Sequence, residues 1–204
     1  MKNVLALVCL VICVCTGCKK QLVVFGIKLD TKITTTPNTS TGFLRFTIKK
    51  GLQYSDSNPF TTIKYQELRF SVRFDSSARY NTQLAANQAD INKLYGFSDN
   101  NAQHHQYSAR FGWRWSNNAL RLFGYVYNAG VRTSQEIGVI NIGQTYDCKI
   151  IVTNNAYQFY IEGKKIDMPR LATTPQAVGY KLYPYFGGDE TAPHDIHIWI
   201  REEK

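Results

Sequence analysis

Residues 107–128, YSARFGWRWSNNALRLFGYVYN, decide the fold because apolar and polar side chains alternate on both sides of an Asn-Asn pair. Alternation with a period of two predicts β-strands, and asparagine tolerates the positive φ angles of a tight hairpin turn. With Asn117 and Asn118 as the turn, Arg114 lies opposite Arg121 and Trp113 lies opposite Leu122. The stretch therefore predicts an antiparallel hairpin of two long strands.

The two faces of this hairpin differ in chemistry. One face is apolar and is predicted to be the core, with the opposed pairs Trp115 and Leu120, Trp113 and Leu122, Phe111 and Gly124, and Ala109 and Val126. The other face combines cations with aromatic rings: Arg110, Arg114, Arg121, Phe123, Tyr125 and Tyr127. Two directly opposed arginines repel each other, so this second face requires a negative partner.

Two interpretations of the second face are open at this point. Sugar rings stack on aromatic side chains, and the arginine fork matches a carboxylate or sulfate. The six residues are therefore predicted to bind a saccharide, and an acidic polysaccharide is a candidate. Alternatively, Arg114 and Arg121 pair with acids such as Glu67 or Glu136, and a loop within residues 80–106 covers the rings.

The N-terminus is predicted to be a signal peptide. Lys2 precedes an apolar run over residues 4–14 that is too short for an ordinary membrane span. The sequence Cys15-Thr16-Gly17-Cys18 resembles the lipobox of bacterial lipoproteins, which implies cleavage before Cys18 and lipid attachment to its sulfur. This predicts a signal peptide at 1–17, an anchor site and tether at 18–42 with a candidate strand at 22–29, and one domain at 43–204.

Charge and cysteine content limit the partners. The net charge is +9 at pH 7, and a basic surface attracts nucleic acid, anionic lipid or acidic polysaccharide. Export argues against nucleic acid, and it predicts a lipid-anchored location in the bacterial cell envelope, at the outer membrane. After cleavage only Cys18 and Cys148 remain, so lipidation of Cys18 leaves Cys148 as a buried, unpaired thiol.

The rest of the chain also predicts strands. Only residues 82–95 predict a helix. Many short strands with hairpin turns predict an all-β, antiparallel β-sandwich in a single domain. The predicted strands outside the hairpin are 43–49, 64–74, 135–141, 146–153, 156–162, 179–186 and 194–201.

Three segments carry a resemblance to a known superfamily. Residues 93–115 (KLYGFSDNNAQHHQYSARFGWRW), 154–166 (NNAYQFYIEGKKI) and 183–200 (YPYFGGDETAPHDIHIWI) resemble the concanavalin A-like jelly roll. Its members include legume-type lectins, glucanases, some alginate lyases and uncharacterised Bacteroidetes lipoproteins. The resemblance implies a jelly-roll fold and a saccharide partner. It also implies a candidate calcium ligand at Asp195, at the start of the last strand. The sequence predicts no other cofactor.

Enzymatic activity is an alternative. The E-x-D-x-x-E pattern of the glucanase members is absent. Residues 66–69 (QELR) and 125–130 (YVYNAG) resemble alginate lyase strands, which implies roles for Arg69, Tyr125 and Tyr127. The Gln-Ile-His motif of those lyases is absent, so no catalytic histidine is matched. His104 and His105 are predicted to be loop residues, and His194 and His197 to be surface residues.

The sequence therefore favours a lipid-anchored envelope protein with a non-catalytic, saccharide-binding jelly roll. One alternative is a polysaccharide lyase or glycoside hydrolase of the same fold. A second alternative is a structural envelope protein that binds other proteins through the aromatic patch.

Overall fold

The computed structural model describes residues 23–24, 27–28 and 42–203. The chain divides into two units, Met1–Ser40 and Thr41–Lys204. In the first unit, β1 (Val23–Val24) pairs with β2 (Ile27–Lys28), so two short antiparallel strands replace the single strand predicted at 22–29. The predicted signal peptide and Cys18 lie outside the described residues.

Within residues 42–203, the second unit contains twelve strands in two antiparallel sheets. In chain order the strands are β3 (Leu44–Ile48), β4 (Thr62–Tyr65), β5 (Glu67–Phe74), β6 (Asn92–Ser98), β7 (Tyr107–Ser116), β8 (Ala119–Asn128), β9 (Val131–Ile140), β10 (Thr145–Val152), β11 (Ala156–Ile161), β12 (Lys164–Pro169), β13 (Ala177–Leu182) and β14 (Ile196–Glu202). The β5 sheet has the order β12-β11-β10-β5-β14-β3, and the β7 sheet has the order β4-β13-β6-β7-β8-β9. Two 3-10 helices span Ser76–Ala78 and Ala85–Ala89.

The β7–β8 hairpin forms with the predicted turn and register. Asn117 and Asn118 have φ angles of 51° and 53°, in the left-handed region that a two-residue hairpin turn requires. Trp113 pairs with Leu122, and Arg114 pairs with Arg121. The predicted apolar face is buried throughout its central part, which confirms its assignment to the core.

Aromatic side chains from both sheets meet in this core. Phe111 lies 5.6 Å from Phe70 and 5.2 Å from Phe159 between ring centroids. Trp113 lies 5.3 Å from Phe74. Aromatic pairs at these separations add to the free energy gained from area burial alone. The second unit is thus the predicted antiparallel β-sandwich, and no helix in the described residues is long and apolar enough to cross a membrane.

The helix predicted at 82–95 is wrong. Its first part contains the 3-10 helix Ala85–Ala89, and its end belongs to β6. The register of β6 against β7 shifts between Lys93 and Gly96. This irregularity places Leu94 and Tyr95 in the interior together, so the period of two is lost and the apolar residues imitate a helical face.

The edge strands also differ from those predicted from the sequence. The sequence KKIDMP of β12 is mostly polar and gave no strand signal; the strand follows a turn at Glu162 and Gly163, which have φ angles of 46° and 74°. β9 begins at Val131, earlier than predicted, and its first six residues are exposed. Edge strands carry little apolar alternation because one side and one face contact solvent.

A buried ion pair holds the loop that follows β6. Arg170 Nε lies 2.8 Å from Asp99 Oδ2, and both side chains are at most 1% exposed. The Tyr157 hydroxyl donates to Asp99 at 2.7 Å, and the Val178 N–H donates to it at 3.2 Å. The Asp99 carboxylate therefore connects the loop at 99–106 to β11 and to the start of β13.

Replacing Arg170 by methionine leaves the buried Asp99 charge without its cation. We expect a loss of about 3–5 kcal/mol in the free energy of unfolding, because a buried charge that loses its partner is costly. The measurement is urea unfolding followed by tryptophan fluorescence. Lys49→Met is the control, since it removes the exposed Lys49–Asp195 pair at 3.0 Å and should cost less than about 1 kcal/mol. Equal losses in the two variants would contradict this expectation.

Candidate functional site

A cleft of about 590 Å³ lies on the face of the β7 sheet that points away from the core. Strands β6, β7, β8, β9 and β13 contribute to it, together with loop residues at 54–60, 104–105 and 183–188. Four cations line the cleft, and within the described part of the chain no Asp or Glu side chain lines it. The four cations are Lys93, Arg110, Arg132 and Lys181.

Arg110 is a buried cation in this cleft. Its side chain projects from β7, the residue is only 5% exposed, and its Nε has no hydrogen-bond partner. No ion pair to Arg110 occurs among the described residues, and its Cζ lies 5.4 Å from the Tyr125 ring centroid. Burial lowers the pKa of Arg110 to about 10, so it remains charged at neutral pH. An unpaired buried guanidinium is a strong attractor for an anion.

Lys93 adds a second cation with a perturbed pKa. Its Nζ lies 5.2 Å from the Tyr125 ring centroid and 5.9 Å from that of Tyr185. Burial lowers the pKa of Lys93 to about 8, and the charges of Arg110 and Arg132 contribute to the shift. The neighbouring cations therefore disfavour the charged form of Lys93, and an anionic ligand would raise the pKa of Lys93 again.

His104 and His105 reach the cleft from the loop between β6 and β7. Their ring centroids are 4.2 Å apart, and His105 lies 5.3 Å from the Tyr127 ring. They are loop residues as predicted, but their position in the cleft was missed. Adjacent side chains on a strand point to opposite faces, but these two histidines lie in a loop, so both rings lie on the same side. The sequence feature that could have indicated this position is their place just before the strand that carries Arg110.

Tyr180 orients His104. The His104 backbone N–H donates to the Tyr180 hydroxyl oxygen at 3.1 Å, and His104 Nδ1 lies 2.8 Å from the same oxygen. When Tyr180 donates its own proton to Gln103 Oε1, 3.1 Å away, His104 Nδ1 must carry a proton and Nε2 is a free acceptor. Burial, with the charges of Arg110 and His105, lowers the pKa of His104 to about 4. His104 is therefore a neutral imidazole at pH 7.

The tyrosines of β8 supply hydroxyl donors. The Tyr125 and Tyr127 rings are 5.9 Å apart in an edge-on arrangement. Burial raises the pKa of Tyr125 to about 12, and neighbouring Tyr127 contributes to this shift. The cleft thus combines cations, a neutral imidazole and a protonated phenol, which are the groups for charge neutralisation, proton abstraction and proton donation.

The structure separates the six residues that were predicted to bind saccharide. Arg110, Tyr125 and Tyr127 line the cleft, whereas Arg114, Arg121 and Phe123 do not. They form instead a second group, close to the Asn-Asn turn.

The residues of this second group contact other residues of the protein. Arg121 Nη1 lies 2.9 Å from Glu136 Oε1, and Arg114 donates to the Ala89 carbonyl at 2.6 Å while its Cζ lies 4.8 Å from the Phe123 ring. Phe123 is only 5% exposed. The interpretation with internal partners therefore describes this half of the face, and saccharide binding at Arg110, Tyr125 and Tyr127 stays a prediction.

Other candidate residues lie elsewhere. Arg69 is exposed on β5, in the other sheet, and pairs with Glu67. Asp195 accepts from Lys49 Nζ at 3.0 Å and from the Lys50 N–H at 2.9 Å. No group of three or more His, Cys, Asp or Glu side chains that could hold a metal occurs in the described residues, so calcium binding at Asp195 stays a prediction.

The remaining histidines and the cysteine also lie outside the cleft. His194 contacts the Ser77 carbonyl oxygen at 2.8 Å, and His197 lies 3.3 Å from the Thr47 hydroxyl. Cys148 is buried as predicted, and burial raises the pKa of its thiol well above the usual value. An inert thiol of this kind contributes to packing.

Comparisons with known proteins give matches in structure. No protein-family model matches the chain, and no curated protein matches it. Alginate lyase AlyC3 is similar with a TM-score of 0.52 at 11% identity over 79% of this chain and 74% of that chain; its complex with dimannuronate matches with the same score.

Two further solved structures are similar. The alginate lyase from Klebsiella pneumoniae has a TM-score of 0.51 at 13% identity over 67% of this chain, and the match spans 58% of that enzyme. A glycoside hydrolase family 16 endo-glucanase from Bacteroides ovatus has a TM-score of 0.51 at 11% identity over 79% of this chain and 80% of that chain. These likenesses show the fold, which is the predicted antiparallel β-sandwich of the jelly-roll type.

Acid pH tests the environment of His104. Its pKa in the folded protein, about 4, lies below its ordinary value of 6.5, so the unfolded chain binds a proton more readily. The contribution of His104 to stability is present above pH 6.5 and is lost as the pH falls toward 4. We expect urea unfolding of His104→Gln to depend less on pH across this interval than that of the unsubstituted protein. Identical pH dependence would place His104 in ordinary solvent.

Proposed function

We propose that the chain is a polysaccharide lyase that binds an acidic, uronate-containing polysaccharide in the cleft and cleaves it by β-elimination. The observation that carries this proposal is Arg110, a buried guanidinium that lines the cleft without a carboxylate partner. Similar solved structures support it, because they include two alginate lyases, one of them also in complex with dimannuronate.

The charges favour an anionic substrate over a neutral one. Lys93, Arg110 and Arg132 repel each other in the cleft, since no acidic side chain in the described region lines it. A uronate carboxylate fits the guanidinium fork of Arg110 and relieves this repulsion. A neutral glucan offers hydroxyls only and leaves the buried charge unpaired.

β-Elimination requires three groups, and the cleft contains candidates for each. Arg110, with Lys93, neutralises the carboxylate, which makes the proton at C5 more acidic. His104 Nε2 accepts that proton as the C4–C5 double bond forms and the C4–O4 bond breaks. Tyr125 or Tyr127 donates a proton to the departing O4, which leaves as the hydroxyl of the released chain. Electrons and protons balance without an external oxidant or water.

The same lining disfavours a glycoside hydrolase. Hydrolysis at a glycosidic bond usually requires two carboxyl groups about 5–9 Å apart on either side of the bond. Among the cleft-lining residues that the structure describes there is no Asp or Glu. Of the two catalytic alternatives, the lyase is therefore the one that this cleft supports.

Non-catalytic saccharide binding is the second candidate. Phe60 and Tyr54 line the cleft and are 78% and 61% exposed, and the Phe60 ring lies 5.3 Å from that of Tyr180. Exposed rings beside a cleft suit sugar stacking, which needs no base or acid. Binding of a uronate polymer without any cleavage would favour this candidate. Absence of binding to any glycan would favour the structural, protein-binding alternative.

The decisive experiment incubates the protein with alginate and polygalacturonate and follows the ultraviolet absorbance of the unsaturated product. We expect Arg110→Met to lower kcat/KM by on the order of 100-fold or more. The same change removes an unpaired buried charge, so we expect it to raise the free energy of unfolding by about 1–3 kcal/mol.

Arg114→Met is the matched control for this experiment. Arg114 lies on the same strand and face as Arg110 but outside the cleft, so its replacement should leave kcat/KM within about twofold of the original value. Equal loss in both variants, or a folded protein that binds both polymers and releases no unsaturated product, would rule out the lyase.

We also propose that Cys18 carries a lipid that anchors the protein in the bacterial cell envelope, at the outer membrane. The lipobox-like sequence Cys15-Thr16-Gly17-Cys18 after a short apolar run supports this proposal.

Labelling with radioactive palmitate in a bacterial host tests the anchor. We expect Cys18→Ser to abolish label incorporation and to release the protein from the membrane fraction, because position 18 then has no sulfur that can be acylated. Cys15→Leu should retain the label, since leucine is usual at that lipobox position. Label on the Cys18→Ser chain would refute this assignment.

A further inference from the structure

The second sheet bears basic and aromatic residues on the face opposite the cleft. We infer that this outer face of the β5 sheet is a second, non-catalytic binding surface for the same class of acidic polysaccharide. The inference rests on the acidic substrate of the proposed function. Two rows of side chains carry it, and each row consists of an aromatic ring between cations on the two neighbouring strands.

The first row crosses β3, β14 and β5. Trp199 is paired directly with Arg45 on one side and with Arg73 on the other. Its neighbours Ile198 and Ile200 are buried in the core, so the indole points outward. The Arg73 Cζ lies 5.2 Å from the centroid of the Trp199 ring.

The second row crosses β10, β11 and β12 and repeats this pattern. Tyr160 is paired directly with Lys149 and with Lys165. Their Nζ atoms lie 4.5 Å and 5.8 Å from its ring centroid. Arg69, which pairs with Lys149, extends the row onto β5. Because Arg69 and Arg73 are four residues apart on one strand, the rows are separated by about 13 Å.

Ion pairs neutralise two of these five cations. Arg69 pairs with Glu67, and Lys165 pairs with Asp167 at 3.0 Å. Arg45, Arg73 and Lys149 form no ion pair with another described residue. Contacts with rings fix the position of a cation but leave its charge, so the face keeps an ordered excess of positive charge.

A linear polyanion fits this arrangement. Its carboxylates repeat along an extended chain, so one molecule can contact cations of both rows, and its sugar rings have apolar faces that suit Trp199 and Tyr160. The cleft and this face lie on opposite sheets, so a short oligosaccharide in the cleft does not reach the β5 sheet. Long polymer should therefore gain affinity from both surfaces, whereas short oligosaccharide should not.

The test uses the mature chain and compares Arg45→Gln/Arg73→Gln with the control Lys50→Gln/Lys64→Gln. Both double variants remove two positive charges, but Lys50 and Lys64 are exposed and lie off this face. Affinity electrophoresis through gels that contain alginate or polygalacturonate measures polymer binding. We expect roughly tenfold weaker polymer binding in the arginine variant than in the control, with unchanged cleavage of a uronate tetramer and an unchanged melting temperature.

The outcomes separate the two proposals. Equal polymer binding by the two double variants, with intact tetramer cleavage, would overturn only the second surface. If the arginine double variant lost binding to anionic phospholipid vesicles but retained polymer binding, the face would be assigned to the membrane. That result would also overturn the second polysaccharide surface. Failure of the unsubstituted protein to bind either polymer or tetramer would remove the proposed function itself.

Discussion

The register between β7 and β8 is the constraint on which the site depends. Two consecutive residues with positive φ, Asn117 and Asn118, close the hairpin and determine which side chains face each other. A slip of one residue would move Arg110 into the core and Trp113 onto the outer face of the sheet. The burial of Phe111 and Trp113 against the β5 sheet opposes such a slip, so the packing of the core holds Arg110 on the cleft side.

The site that results is electrostatically unfavourable by itself. Arg110 is buried without an ion partner among the described residues, and its charge helps to lower the pKa values of both Lys93 and His104. These shifts have a common origin, which is positive charge concentrated where water is scarce. A fold stabilised by a large aromatic core tolerates this local cost, and an anionic ligand would offset it.

The remainder of the cleft depends on a loop rather than on a strand. The buried Asp99–Arg170 pair fixes the start of residues 99–106, and Tyr180 on β13 then positions His104. The neutral imidazole and the buried guanidinium thus come from neighbouring elements but are held by different interactions. Near the Asn-Asn turn, by contrast, Arg114 donates to the Ala89 carbonyl and Arg121 pairs with Glu136. Both arginines therefore already have partners within the protein.

The sequence by itself determined the antiparallel sandwich, the turn at Asn117 and Asn118, and the apolar and polar faces of the hairpin. These properties follow from a period of two and from the φ preferences of asparagine, both of which are local. Tertiary structure alone decided that Arg110 lines a cleft while Arg114 is covered, and that His104 lies beside Tyr180. It also decided the strand at Asn92–Ser98, where a bulge hides the alternation. These outcomes depend on contacts between residues far apart in the chain, and neither periodicity nor motif spacing reports such contacts.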